Sequence, residues 1–265
     1  VVKSKSIASL INVARYPIDQ PQSQDYIDLV QQCRDQLKRT GNCSLAHFLT
    51  KSVLRKAMAE VNQVVESTST QSLPRWSTLR TPYLADDNSE FPAGHPRAAL
   101  FPQRFRYLTA DRVPTKSVVS RLFHSNALTR FVSDVLEKKP LYRSACPTLS
   151  VQINLMSEGD VFPWHFDQND GVVSLLLQRA DHGGMFQYVP NIRHGGSGRT
   201  DDVAQKDVEK DVENDGENYA EMKKVFDNES LLVQEPTNQT PGTFVLFKGK
   251  RSVHRVTRVG ATQQP

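Results

Sequence analysis

The sequence has little of what defines several large classes of protein. Its 265 residues contain three cysteines, and none of them forms a Cys-x-x-Cys pair: Cys33, Cys43 and Cys146. A disulfide framework and a zinc knuckle are therefore not indicated, and a reduced, cytoplasmic environment is the simplest expectation. No apolar run reaches the length of a membrane span, and Val1 to Ser6 do not resemble a secretory signal. We expect no membrane association.

Charge is present but unevenly distributed. The formal net charge is +4, yet the segment from Asp201 to Glu221 contains nine acidic residues and two lysines, so the remainder is strongly basic. The basic residues are scattered and accompany no recognised nucleic-acid-binding motif, so we expect no nucleic-acid partner. A basic remainder suits a pocket for anionic small molecules.

The first half of the chain has helical periodicity. An apolar stripe predicts a helix over Asp25 to Arg39, Thr50 is a suitable N-cap for a second helix, and Pro114 opens a further helical stretch. A brief strand is predicted at Cys43 to Leu45. The Pro- and Ser-rich segment from Ser67 to Pro102 is interpreted as a loop over the core.

The second half has the texture of short strands separated by turn residues. Short strands of this kind predict an antiparallel barrel or sandwich with the helices outside. The predicted strands are Thr148 to Met156, Val172 to Leu177, Met185 to Val189 and Gly242 to Phe247. An acidic, partly helical insertion at 193–234 either covers the pocket mouth as a lid or merely decorates the barrel. We expect one α+β domain over 1–265, with helical support at 1–140 and the core at 141–265.

The side chains that indicate chemistry are His165 and Asp167. In a strand, residues two apart point to the same face, so these two converge while Phe166 turns away. His254, in a second run with strand character, offers a third ligand. Two histidines and one carboxylate on one side of a metal, with open positions opposite, describe a non-haem Fe(II) site. The competing interpretation is a chance His-x-Asp, but among seven histidines His165 alone has an acidic residue two positions later.

Taken together and in order, these features resemble the Fe(II)/2-oxoglutarate-dependent oxygenases, in particular the branch of free-amino-acid hydroxylases and radical halogenases. The resemblance is best from Leu141 to Gly260. It is carried by Gly159-Asp160, Trp164-His165-Phe166-Asp167, Gly183-Gly184-Met185-Phe186-Gln187-Tyr188-Val189-Pro190, Pro241-Gly242-Thr243 and Ser252-Val253-His254-Arg255-Val256-Thr257.

The resemblance implies a double-stranded β-helix, a jelly-roll-like barrel that forms a single catalytic domain. It places Fe(II) on His165, Asp167 and His254, with 2-oxoglutarate as cosubstrate and O2 as oxidant, and it implies release of succinate and CO2. The expected substrate is a small amino acid or a derivative, and the expected reaction is hydroxylation. Oxidative cyclisation and desaturation stay open, whereas the intact Asp167 argues against halogenation, because the halogenases of this branch vacate that position.

Two other classes compete with this interpretation. A barrel protein that binds metal without turnover is one, and a zinc hydrolase with the same three ligands is the other. The sequence has no His-Glu-x-x-His, which argues against the hydrolase.

The sequence identifies the residues that hold cosubstrate and substrate less clearly than the metal ligands. Family members bind the distal carboxylate of 2-oxoglutarate with an arginine beyond the turn that Gly260 begins, and this sequence ends at Pro265. Either that final strand and its arginine are missing from this sequence, or another residue serves. The candidates are then Arg258, which shares a strand face with His254, and Arg104 and Arg106. For the substrate, polar groups on one strand face and at the pocket rim are the candidates: Ser150, Gln152, Asn154, Tyr188 and Arg193.

Overall fold

The computed structural model describes residues 6–68, 72–83, 91–169, 171–193, 216–237 and 239–261. Within these ranges the chain forms five α-helices and nine strands, and the strands pair antiparallel in three sheets of three. The mixed α+β class predicted from sequence is confirmed. None of the helices in the described ranges is both long and apolar enough to span a bilayer.

The helices predicted over Asp25 to Arg39 and after Thr50 are present. The stretch predicted to open at Pro114 begins at Val118 instead, because Ser117 is its N-cap, and it is divided into two helices. Ser23 and Thr50 cap the first two helices by accepting hydrogen bonds from the amides of Tyr26 and Val53. Gly41, at φ 66°, ends the first helix in the left-handed conformation that glycine adopts at no steric cost. The helices are α1 (Gln24–Thr40), α2 (Lys51–Ser67), α3 (Val118–Phe123), α4 (Asn126–Leu136) and α5 (Tyr219–Phe226).

The nine strands include the brief strand predicted around Cys43, and three later strands lie within two residues of their predicted ends. The predicted strand at Thr148 to Met156 is shorter, because its first residues form a turn. The strands are β1 (Asn42–Leu45), β2 (Arg75–Arg80), β3 (Phe101–Thr109), β4 (Gln152–Leu155), β5 (Phe162–His165), β6 (Val172–Leu175), β7 (Phe186–Val189), β8 (Phe244–Phe247) and β9 (Val253–Val256).

The segment from Ser67 to Pro102 is not the loop that we predicted from its composition. It contains β2, which pairs along its whole length with the first part of β3. Five of the six residues of β2 are exposed, because this strand lies at a sheet edge and carries Arg, Ser and Thr. A strand with so little burial shows no alternation of apolar and polar residues, so its periodicity is invisible in sequence.

One sheet, in the order β1-β8-β6, is backed by the N-terminal helices. Phe244 and Leu246 of its central strand join the main hydrophobic core, which also contains Phe131 of α4 and Cys33 of α1. Alternation turns Phe247 to the opposite face, where its ring lies 5.2 Å from that of Phe186 in β7. We call this the helix-backed sheet.

The second sheet, β5-β9-β7, contains both histidines of the predicted metal site, and we call it the histidine sheet. Consecutive strands from β5 to β9 alternate between the histidine sheet and the helix-backed sheet. The third sheet, β2-β3-β4, is the flanking sheet, and it meets the histidine sheet through a bridge between Arg104 and Val161.

The described part of the predicted insertion packs behind the histidine sheet. Met222 and Val225 of α5 are fully buried in a second core with Trp164, Val189 and Val253. Because Trp164 and Val253 precede the two histidines directly, this core lies on the face opposite to them. Residues 194–215 of the predicted lid lie outside the described residues.

This packing predicts that α5 stabilises the domain through its buried face. We expect Met222→Ala to lower the free energy of unfolding by about 3 kcal/mol, because the truncation leaves a cavity behind the histidine sheet. Lys223→Ala, on the exposed face of the same helix, should change it by less than about 0.5 kcal/mol. Urea unfolding followed by circular dichroism measures both. Equal, small effects would contradict the packing.

Candidate metal centre

Two paired strands bring the histidines together. His165 ends β5, His254 lies in β9, and the two residues are direct cross-strand partners. Side chains of directly paired residues share a face, so both imidazoles project from the same side of the histidine sheet. Asp167 follows two residues after His165, and its amide donates a hydrogen bond to the carbonyl of Gly249 at 3.1 Å.

The three side chains form a compact cluster. One ligand atom from each lies within 4.8 Å of the others, and no second group of this kind occurs among the described residues. The Nε2 atom of His254 lies 3.1 Å from Oδ2 of Asp167, and the Nε2 atom of His165 lies 3.9 Å from Oδ1. Both histidines are buried, and Asp167 is partly exposed.

Backbone carbonyls fix the orientation of both rings. Nδ1 of His165 lies 2.7 Å from the carbonyl oxygen of Pro163, and Nδ1 of His254 lies 2.9 Å from that of Ser252. A carbonyl oxygen only accepts, so each Nδ1 is the donor. In the neutral ring this leaves the Nε2 lone pair directed to the cluster, as metal-binding histidines require.

The cluster therefore brings acceptor atoms together. The Oδ2 atom of Asp167 is buried and has no hydrogen-bond donor, although Nε2 of His254 is close to it. Two lone pairs at this distance repel unless a cation lies between them. Two imidazole nitrogens and one carboxylate oxygen suit a divalent transition metal, and they match the facial set of non-haem Fe(II). The residues present thus fit a bound metal ion.

Aromatic rings surround the two histidines. Phe162 stacks on His165 with 4.0 Å between the ring centroids, and Phe247 of the helix-backed sheet meets His254 edge-on at 4.8 Å. Phe186 lies 5.8 Å from His254. This shell excludes water from one side of the cluster and lowers the local dielectric, which strengthens metal–ligand electrostatics.

Burial controls the protonation of His165. It lowers the pKa of His165 well below the ordinary value of 6.5, and the neighbouring His254 and Arg80 add to the effect. His165 is therefore neutral and ready to bind metal at physiological pH. Burial also lowers the pKa of Arg80 to about 10, against the opposing charge of Asp167, so its guanidinium stays protonated.

Gly249 makes room for the carboxylate. A Cβ atom at this position would overlap Oδ2 of Asp167 and would come within 2.9 Å of its Cβ and 3.0 Å of its Cγ. Sequence reasoning did not assign a role to Gly249, because the contact joins segments that are far apart in the chain. Arg80 was missed as well, because its contacts also join distant segments and because it lies in the segment that was interpreted as a loop.

Of the three arginines predicted to hold the cosubstrate, two have partners within the protein. Arg258 is exposed, and its Nη1 donates to the carbonyl of Gly159 at 2.7 Å. Arg104 pairs with the buried Asp160 at 3.1 Å. Arg106 shares a face of β3 with Leu108, which lines a small cleft with residues of α2 on the outside of the flanking sheet.

The predicted substrate residues fall into two groups. Gln152 and Asn154 are exposed on the opposite face of the flanking sheet from Ile153, and Nε2 of Gln152 donates to Oδ1 of Asn154 at 2.6 Å. Ser150 lies in the turn before β4 and is partly buried. The strand alternation that motivated this prediction thus places Gln152 and Asn154 together.

Tyr188 and Arg193 occupy buried positions. Tyr188 lies directly across from His254 in the histidine sheet, and burial raises its pKa against a hydrogen bond with Thr40. Arg193 packs its guanidinium over the ring of Phe166 at 4.2 Å and donates to Glu217 at 2.6 Å. Phe166 turns away from the two ligands beside it, as predicted, so Arg193 braces the metal-binding segment from behind.

Comparison with known proteins gives structural matches only. Neither a family model nor a curated protein matches the sequence. An oxidoreductase of the 2OG-Fe(II) oxygenase family from Burkholderia pseudomallei is 17% identical, with 88% of this chain and 85% of that chain covered and a TM-score of 0.43. A prolyl-4-hydroxylase from Pseudomonas putida is 14% identical, with 87% and 92% covered and a TM-score of 0.46.

A third solved structure is the non-heme alpha-ketoglutarate-dependent carbocyclase SnoK from nogalamycin biosynthesis. It is 10% identical, with 87% of this chain and 79% of that chain covered and a TM-score of 0.50. This chain therefore shares the fold of that carbocyclase. Within this fold, His165, Asp167 and His254 form the cluster described above.

The contact between Gly249 and Asp167 predicts a specific loss of metal affinity. We expect Gly249→Ala to weaken Co(II) binding by about 10-fold to 100-fold, because the added methyl group displaces the carboxylate. Lys250→Ala, at the exposed neighbouring position, should bind normally. Isothermal titration calorimetry with Co(II) measures the affinity, and circular dichroism controls for folding. A folded Gly249→Ala protein with unchanged affinity would refute the contact.

The low pKa of His165 predicts a pH dependence of stability in the metal-free protein. Because the pKa is lower in the folded state, the unfolded chain binds more protons below pH 6.5, so stability is present above pH 6.5 and lost as the pH falls. We expect this residue to contribute a loss of about 1 kcal/mol between pH 7.5 and pH 5.5. Urea unfolding of the EDTA-treated protein should show a smaller loss in His165→Gln. Equal losses in both proteins would contradict the assignment.

Proposed function

We propose that this chain is a non-haem Fe(II)/2-oxoglutarate-dependent oxygenase that hydroxylates a C–H bond of a small amino acid or a derivative. The observation that carries the proposal is the convergence of two Nε2 lone pairs and a carboxylate that lacks a donor. This donor set, with the remaining coordination positions left to other ligands, is typical of non-haem Fe(II) oxygenases.

The metal and its cosubstrate supply the difficult chemistry. When bound, Fe(II) with 2-oxoglutarate and O2 couples oxidative decarboxylation, which yields succinate and CO2, to oxidation of the substrate. The protein's part is to hold the metal ion and to shield it from water. His165 and His254 present Nε2 because backbone carbonyls hold their Nδ1 protons, and Gly249 gives Asp167 the space to join them.

The strand order supports a double-stranded β-helix around this centre. Strands β5 to β9 alternate between two facing sheets, which is how such a jelly-roll-like barrel is wound. The aromatic shell of Phe162, Phe186 and Phe247 lies between these sheets and excludes water from one side of the metal.

The substrate proposal rests on polar groups and on the amino-acid hydroxylases that the sequence resembles. Gln152 and Asn154 present amide groups from one face of the flanking sheet, and amides pair well with the amino and carboxylate groups of a small amino acid. Asp167 occupies the position that a halide would need, which argues against halogenation. Oxidative cyclisation, the activity named for SnoK, and desaturation remain alternatives that the mass of the product distinguishes.

The proposal predicts a spectroscopic signal that depends on the three ligands. Under anaerobic conditions, wild-type protein with Fe(II) and 2-oxoglutarate should give a weak charge-transfer band in the visible range, and aerobic incubation with an amino-acid panel should release succinate. We expect His165→Ala and His254→Ala to lose both signals by at least about 100-fold, because two remaining ligands bind Fe(II) weakly.

His182→Ala is the matched control, because His182 is exposed and lies outside the cluster. It should behave as wild type. A wild-type protein that binds Fe(II) but gives neither band nor succinate would support a non-catalytic metal-binding barrel and refute the oxygenase. Retained activity in either alanine variant would remove that histidine from the ligand set.

A further inference from the structure

Arg80 lies beside the metal centre at the end of an edge strand. It pairs with Phe101, so alternation places it on the same face of the flanking sheet as Gln103. Its Nη1 atom donates to Oε1 of Gln103 at 3.3 Å, and its guanidinium carbon lies 5.2 Å from the centroid of Phe162. Phe162 in turn stacks on the ligand His165.

The hydrogen-bonding capacity of Arg80 is largely unused. A guanidinium has five N–H donors, and Gln103 accepts one of them. The Nε atom is buried and has no acceptor. Among the residues that the structure describes, no carboxylate pairs with Arg80. Burying a cation without an anionic partner costs free energy, so this position favours an anion that the described residues do not supply.

Charge couples Arg80 to the ligands. Its positive charge helps to lower the pKa of His165, and Asp167 opposes the effect of burial on Arg80 itself. These effects fall steeply with distance, so Arg80 and the cluster share one electrostatic environment.

We infer that Arg80, positioned by Gln103, binds a carboxylate group presented next to the metal centre. Its planar fork matches a carboxylate in bidentate fashion, and Gln103, itself only 3% exposed, holds one edge of the fork in place. Arg258 and Arg104 have their own protein partners, whereas Arg80 keeps donors for a ligand. The inference rests on the proposed function, and two molecules would bring such a group: the distal carboxylate of 2-oxoglutarate, or the carboxylate of the substrate.

Matched probes separate these two sources. Isothermal titration calorimetry of Co(II)-loaded protein compares 2-oxoglutarate with 2-oxopentanoate, which lacks the distal carboxylate, and free L-amino acids with the corresponding amides. Arg80→Gln should weaken one carboxylate-bearing probe by about 10-fold to 100-fold and leave its matched partner unchanged, as expected for loss of a charge-assisted hydrogen-bonded pair. Weaker binding of 2-oxoglutarate indicates that Arg80 binds the distal carboxylate of the cosubstrate. Weaker binding of the amino acids indicates that it binds the carboxylate of the substrate.

Three controls keep the test interpretable. Arg112→Gln removes the same charge from an exposed position beyond the far end of β3 and should bind all probes as wild type. Arg80→Lys keeps the charge without the fork and should recover part of the affinity, while a thermal melt and Co(II) affinity check that each variant folds. Equal affinities of wild type and Arg80→Gln for every probe would overturn the inference. A missing Fe(II) charge-transfer band in wild type would instead count against the proposed function, and the calorimetry would still test Arg80.

Discussion

The close approach of Asp167 to His254 is the interaction on which the rest of the site depends. In the neutral ring of His254 the facing atoms are both acceptors, 3.1 Å apart. The backbone carbonyls accept hydrogen bonds from Nδ1 of both rings, so a neutral ring has no proton on Nε2 to donate to Asp167. A bound cation turns this unfavourable contact into a favourable one. Three features hold the ligand atoms close together without a metal: the strand pairing, the glycine at position 249 and the aromatic shell. The site is therefore preorganised for metal binding.

The two faces of the histidine sheet have different tasks. One face carries the imidazoles, and the ring of Phe247 from the helix-backed sheet contacts His254 and Phe186 there. The other face packs against α5, where Glu217 is held between Arg193 and Arg97, and Arg193 lies over Phe166. Because Phe166 lies between His165 and Asp167 in the chain, the packing behind the sheet holds the segment that supplies two of the three ligands. Such support from outside the coordination sphere keeps ligand geometry fixed.

Local patterns in the sequence were sufficient for the helices, for most strands of the second half and for the three clustered residues. His165 and Asp167 were predictable because strand alternation is a local rule, and His254 because it lies in a run with strand character. The strand β2 was not predictable, since five of its six residues are exposed and no alternation marks it. Gly249 and Arg80 were missed because their roles arise from contacts between distant segments, and a steric overlap or an unsatisfied donor has no signature in a single sequence.

The pairing of His165 with His254 also bears on how the chain reaches its native state. A shift of β9 by one residue would turn Val253 toward the ligands and send His254 into the apolar core behind the sheet. Only the native register brings the three donor atoms to one point, so a metal ion would bind this register more tightly than a shifted one. By mass action the ion then enriches that register at the expense of its neighbours. A metal ion bound to the cluster would thereby favour the native alignment of β5 and β9.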